Sequence, residues 1–239
     1  MRNKIEAAIR SSKADYTEIR LEEREATTVS YRGAELENAN PIIDAGGIVR
    51  CMCRDGGWGI ATFNDRDDLT TKIEQAYQCA KVAQSETPIE LALTPIVEDK
   101  ITVALERDFR GVSLAEKKAL IEGYNAILLQ HSDKIIDSMA VYNDTFSRIL
   151  FANSEGSFIE EERPMVTVYM VAIARDGDNV QQAAESRSAQ NGFQFLQGHE
   201  DLVHTVAKRA VDLLSAETVV GGQYPVIVNQ ELGLSLIHI

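Results

Sequence analysis

The sequence predicts an α+β protein made of two sheet-plus-helix domains with mainly antiparallel strands. Hydrophobic periodicity changes from helix-like to strand-like and back, twice along the chain. Glycine-bearing connections, Arg32-Gly33 and Asp55-Gly56-Gly57, suit tight turns between antiparallel strands. Each block of strands is followed by an amphipathic helix able to cover one sheet face, the usual α+β arrangement.

The elements follow in order. Arg2 to Ser11 carries Ile5, Ala8 and Ile9 at helical spacing. Five short strands are then expected: Tyr16–Leu21, Thr27–Tyr31, Glu35–Glu37, Gly47–Cys53 and Trp58–Phe63. Asp67 and Asp68 lead a helix through Leu69, Ile73, Ala76, Ala80 and Ala83, with the acids at its positive end. Pro88 and Pro95 interrupt any period between Ser85 and Phe109, which places a linker at 87–112 between an N-terminal domain, 1–86, and a central domain, 113–233. Ser113-Leu114-Ala115-Glu116 is a capping box for a helix running to about His131. Strands are expected at 138–142, 147–152, 165–174 and 180–186, then a helix from His199 to Leu214. Tyr224–Val228 reads as a buried strand, Asn229-Gln230 as a turn, and Glu231 onward as a helix burying Leu232, Leu236 and Ile237.

Composition limits the function classes. The 239 residues are 44% apolar and 26% charged, with a formal charge of −13. An acidic surface repels phosphates, so neither nucleic acid nor an anionic membrane is expected as a partner. The chain has no run of about 18 apolar residues, and Glu6 interrupts the start where a signal peptide would be apolar; the expected compartment is the cytoplasm. Cys51 and Cys53, two apart in a strand pattern, share a face, and Cys79 sits in a helix; all three read as reduced structural thiols.

Several ordered motifs carry a family resemblance. Tyr16-x-Glu18-Ile19-Arg20, the Arg32-Gly33 turn leading to Glu35, Gly46-Gly47-Ile48-Val49-Arg50 and Gly57-Trp58-Gly59-Ile60-Ala61-Thr62-Phe63-Asn64-Asp65 resemble the N-terminal domain of the TldD/PmbA metallopeptidases. Phe151-Ala152-Asn153-Ser154-Glu155-Gly156 is similar to a strand-turn signature of that family's central domain, and Tyr224–Val228 to the strand leading into its catalytic helix. The resemblance implies a zinc peptidase acting on unfolded peptides. It implies a metal held by a His-Glu-x-x-x-His helix and a further ligand downstream. It also implies homo-oligomers or pairs of related subunits, one lacking the zinc site. In that register Glu231, Leu232, Leu236, Ile237 and His238 match the approach to the site, His238 standing at the first metal ligand, and Ile239 occupies the catalytic glutamate's place. Leu234 to Ile239 is also the translation of CTG TCT CTT ATA CAC ATC, similar to the end of a transposase-based sequencing adapter, so residues 234–239 are expected to be a non-native tail. The chain is thus expected to be a fragment cut before the zinc site, with no catalytic residue, inactive and without zinc of its own. The alternative is a fragment of the PmbA-like non-catalytic partner, a binding or scaffold subunit.

Other candidates invite bland readings. His199-Glu200-Asp201-Leu202-Val203-His204 fits the zinc expression, but residues five apart on a helix diverge by about 140°, and Leu202 and Val203 look like core positions; a solvated helix start is expected. His131, alone at a helix end, suits the negative pole. Ser154-Glu155-Gly156 lacks the Gly-x-Ser-x-Gly elbow, and neither Gly46-Gly47 nor Gly56-Gly57 has phosphate-loop spacing. Glu22-Glu23 and Glu160-Glu161-Glu162 read as exposed acidic edges.

Overall fold

The computed structural model describes residues 2–64, 68–83 and 87–237, the side chain of Glu231 excepted. Its elements are α1 (Arg2–Arg10), β1 (Tyr16–Arg32), β2 (Glu35–Met52), β3 (Trp58–Phe63), α2 (Leu69–Val82), β4 (Glu98–Ile101), α3 (Leu114–Gln130), β5 (Ile135–Asn153), β6 (Phe158–Asp176), β7 (Asn179–Ala189), α4 (Glu200–Leu213) and α5 (Gln230–Leu236). The strands form one seven-stranded sheet in the order β3-β2-β1-β5-β6-β4, with β7 also paired to β6. Every pairing is antiparallel except β4 with β6. The α+β class holds, and the two sheet-plus-helix units share that continuous sheet through the β1–β5 ladder.

Each unit has its own core, and both cores lie on one face of the sheet. Ile19 and Leu21 of β1 pack with α1 and α2, while Val29 and Tyr31 of the same strand pack with α3 and α4. The inward positions keep one parity throughout, as the period of two requires. On β5, Ala152 serves the first core and Ala140, Tyr142 and Phe146 the second.

The first correction to the sequence reading concerns the strands. The five expected in the N-terminal block are three, because Tyr16–Arg32 and Glu35–Met52 are continuous. Leu21-Glu22-Glu23-Arg24-Glu25 lies between the two helix layers, where neither face is fully covered. The ladder to β2 and β5 continues there, but no apolar alternation marks it. The separate strands expected at 138–142 and 147–152 likewise fuse into β5.

The second correction concerns the C-terminal stretch. Residues 217–228 form no strand; Tyr224 is 60% and Ile227 100% exposed, so the expected buried strand is not seen. An apolar run becomes a strand only beside a partner edge, and no strand among the described residues pairs with it. Asn229 is the cap of α5 and not part of a turn, its Oδ1 accepting from the Leu232 N–H at 2.9 Å, and Leu232, Leu236 and Ile237 are exposed.

Helix starts follow their capping residues. Asp68 caps α2 by accepting from Thr71 N, and Ser113 caps α3 by accepting from Glu116 N at 3.2 Å. The capping box is only half made, because the Glu116 carboxylate turns to Arg107 at 2.6 Å. Asp67 lies outside the described residues. The Arg32-Gly33 turn is formed with Gly33 at φ +52°, and Asn125 of α3 donates to the Gly33 carbonyl at 2.7 Å, fastening the hairpin tip to the second unit.

The Gly57-Trp58-Gly59 motif has a packing cause. Helix α2 lies with its backbone against β3: Gly57 N–H donates to Ala80 O at 3.0 Å, and a Cβ on Gly59 would stand 1.9 Å from Ala76 O and 2.3 Å from Ala80 N. Both obstacles are backbone, so neither can swing aside. Gly59→Ala is therefore expected to destabilise the chain by at least about 3 kcal/mol in urea denaturation. Gly111→Ala, where a Cβ meets nothing within 4 Å, should stay within about 1 kcal/mol of the parent; similar midpoints for the two variants would contradict this packing.

Candidate functional site

The fold sets apart the two histidines of the local His-Glu-x-x-x-His pattern. His199 is the N-cap residue of α4; its Nε2 lies 2.8 Å from the carbonyl of Phe195, and its ring meets the Phe195 ring edge-on at 5.9 Å. Its backbone N–H donates to the Tyr124 hydroxyl, which in turn donates to Leu196 O at 2.8 Å, so this corner anchors the start of α4. His204 points elsewhere, and its ring centroid lies 6.0 Å from that of His131 at the C-terminal end of α3. His131 is thus not alone, because its neighbour is 73 residues away in sequence and only the packing of α3 on α4 brings it near. Among the described residues no three His, Cys, Asp or Glu side chains form a metal-holding group. His238 lies outside the described residues.

The thiols are distributed over three environments. Cys51 is buried in the first core, its Sγ 3.6 Å from Ile73 O and 3.5 Å from Thr17 Oγ1, and burial pushes its thiol pKa up, which disfavours the reactive thiolate. Cys53 follows the end of β2 and is half-buried, while Cys79 is exposed on α2. Ser154 is a turn residue between β5 and β6, its hydroxyl accepting from Thr17 N at 3.0 Å.

A buried polar centre escaped the sequence reading. Lys117 of α3 and Asp144 of β5 are 4% and 3% exposed, and Lys117 Nζ donates to Asp144 Oδ2 at 2.5 Å and to Thr27 Oγ1 of β1 at 3.1 Å. The Tyr142 hydroxyl donates to the same carboxylate oxygen at 2.5 Å. Burial first, then the Asp144 charge, holds the Tyr142 phenol far above its ordinary range. A signal did exist: Asp144 shares the inward phase of Tyr142 and Phe146, and an acid there needs a partner.

Two recesses flank the sheet. On the helix-bearing face, between the two helix layers, a cleft of about 350 Å³ has Leu21 and Leu150 as its floor and Glu23, Arg148, Lys100, Glu160 and Glu162 at its rim. The acidic run is split by strand alternation: Glu160 faces Lys100 at 3.7 Å, while Glu161 turns to Arg163 at 2.6 Å and is held below the usual carboxylate range by that bond. On the opposite face, a groove of about 460 Å³ lies between the segment 91–97 and a floor of Tyr16, Trp58 and Phe151. There Glu18, 7% exposed, accepts from Tyr16 Oη at 2.8 Å and from Arg50 Nε at 2.5 Å. Burial, then the bond to Glu18, pushes Tyr16 up to about 12. Apolar floors with charged margins suit the holding of an extended chain, and among the described residues no histidine or cysteine lines either recess.

The buried pair gives a test. Lys117→Ala leaves Asp144 charged without its cation and is expected to cost about 3–5 kcal/mol in denaturant unfolding, whereas Lys117→Met combined with Asp144→Leu should recover most of that loss. Equal costs for the single and double variants would show that side-chain volume, and not charge pairing, sets the effect.

Comparison with known proteins agrees with these observations. The model of the PmbA/TldA metallopeptidase domain 1 matches residues 17–80, and that of the PmbA/TldA metallopeptidase central domain matches residues 107–216. A metalloprotease of Synechocystis sp. is 34% identical over 95% of this chain and 49% of its own length. A metalloprotease of Methanocaldococcus jannaschii is 30% identical over 94% of this chain and 50% of its own. The chain therefore spans about half the length of the curated relatives it matches. Among solved structures, a protein of Bacteroides thetaiotaomicron described as a candidate modulator of DNA gyrase superposes with a TM-score of 0.70 at 14% identity, over 90% of this chain and 48% of that one. TldE of Thermococcus kodakarensis gives 0.63 at 18% identity, over 90% of this chain and 47% of that one. Two family domains matched in order, on the elements that carry the Gly-Trp-Gly packing and the β5–β6 turn, place this chain in the PmbA/TldD metallopeptidase family.

Proposed function

We propose that this chain is the N-terminal half of a TldD-like zinc metallopeptidase acting on unfolded peptides in the cytoplasm. In this reading the half described here shapes a wall of the peptide-processing chamber and part of a contact with a second copy or a paired related subunit. The catalytic metal is held by residues in the part of the relatives that this chain does not span. The observation that carries the reading is a mismatch of coverage: relatives named metalloproteases align over 95% of this chain but only 49% of their own length. The described residues do not fit a catalytic zinc, since no three ligands come together among them.

The two recesses support a role in handling polypeptide. The cleft and the groove both combine an apolar floor with charged margins, and both lie across strands shared by the two units. An extended peptide offers alternating side chains that such surfaces can hold without reading one sequence. The helices of the described residues include none long and apolar enough to cross a membrane.

The test compares the 239-residue chain with the full reading frame from the source genome, using a chemically unfolded protein as substrate. The full-length product is expected to continue past Gly233 into a His-Glu-x-x-x-His helix and to cleave the substrate in a chelator-sensitive way. Replacing that helix's glutamate with glutamine should abolish cleavage with zinc retained, while His199→Ala should leave it largely intact. The 239-residue chain should cleave nothing. Cleavage by the short chain would overturn the reading, and a full-length frame without the paired histidines would assign the protein to the PmbA-like scaffold branch.

A further inference from the structure

The pairing of His131 with His204 has a chemistry of its own. The two residues sit on separate helices held by a common core: Leu128, one turn before His131, and Val203, adjacent to His204, are both fully buried in the second core. The backbone positions of the two imidazoles are thereby fixed by packing, while the rings themselves are exposed. Their centroids are 6.0 Å apart and the ring planes are inclined at 49°. Two imidazole nitrogens on one first-row divalent ion, each at about 2.0–2.1 Å, place the ring centroids roughly 4.5–6.4 Å apart, depending on the angle at the metal. The observed separation falls inside that range, toward its wide end.

Three further observations favour a cation here. No hydrogen bond engages either ring among the described residues, whereas the His199 Nε2 lies against the Phe195 carbonyl. His131 is the C-cap residue of α3, where the unsatisfied carbonyls give the helix end a partial negative charge. The chain as a whole carries −13, which raises the local concentration of cations.

We propose that His131 and His204 form a two-imidazole site for a borderline divalent transition ion such as zinc, nickel or copper(II). The bound ion clamps the end of α3 to α4. Imidazole suits these ions over magnesium or calcium, which require oxygen ligands, and water completes the coordination shell at this exposed position. The pair the sequence pattern offered, His199 with His204, is replaced by one that only the tertiary fold creates. An ion bound to the folded chain and not to separated helices also stabilises the fold by mass action.

The experiment is calorimetric titration of the untagged, chelator-stripped chain with zinc chloride and with nickel chloride alone. The parent is compared with His131→Ala, His204→Ala, His199→Ala and His238→Ala, which together cover its four histidines. The expected result is one equivalent of ion in the parent and at least a tenfold weakening in both His131→Ala and His204→Ala. His199→Ala and His238→Ala should stay within twofold of the parent. Nickel should raise the Tm of the parent and leave that of His131→Ala unchanged; both substituted positions are exposed, and far-UV circular dichroism establishes that each variant is folded. Absence of saturable binding, or binding that survives His131→Ala, or binding lost on His199→Ala, would overturn the assignment. Peptide cleavage is not the readout, so failure here leaves the peptidase reading untouched.

Discussion

The antiparallel ladder between β1 and β5, in register from Glu18 opposite Asn153 to Arg32 opposite Met139, is the constraint on which the rest of the molecule depends. Both cores are seated on these two strands, and the inward parity of each strand serves both. A slip of one residue would turn Ile19, Leu21, Val29 and Tyr31 to the bare face at once, so the two cores jointly enforce a single register. Individual ladder hydrogen bonds contribute only about 0.5–1.5 kcal/mol net. The selectivity comes from burial on one face. Lys117 adds a polar key, touching Thr27 on β1 and Asp144 on β5 from a helix of the second unit.

The recesses follow from the same geometry. Two helix layers on one face of a continuous sheet leave a gap where they do not meet, and the charged middle of β1 passes beneath it. The motifs that carry the family resemblance explain packing more than chemistry. Gly59 admits the backbone of α2, and Asn153 and Ser157 bind each other across the β5–β6 turn. Such residues keep the scaffold's shape.

Legibility in the sequence tracked the range of the interaction. Local devices were readable: Ser113 and Asp68 as caps, Gly33 as a turn, and the apolar stripes of α1, α2 and α4. Strand continuity through Glu22–Arg24 was not, because alternation disappears where neither sheet face is covered. Tyr224–Val228 misled in the opposite sense, since apolarity alone supplies no partner edge. The buried Lys117–Asp144 pair and the His131–His204 pair are products of tertiary packing between residues far apart in sequence. The local His199–His204 pattern offered a spurious substitute. Among candidate site residues, only those with a local signature could be named in advance.

Trp58 is the chain's single tryptophan and stands on the edge strand β3 against Tyr16, so its fluorescence reports the first unit's end of the sheet. Far-UV circular dichroism reports the strands and helices of both. If the β1–β5 ladder binds the two cores into one cooperative body, urea unfolding followed by Trp58 fluorescence and by circular dichroism will give superimposable transitions with one midpoint. A fluorescence transition well ahead of the main loss of secondary structure, with a biphasic dichroism curve, would show that the units unfold separately and that the shared ladder does not unite them.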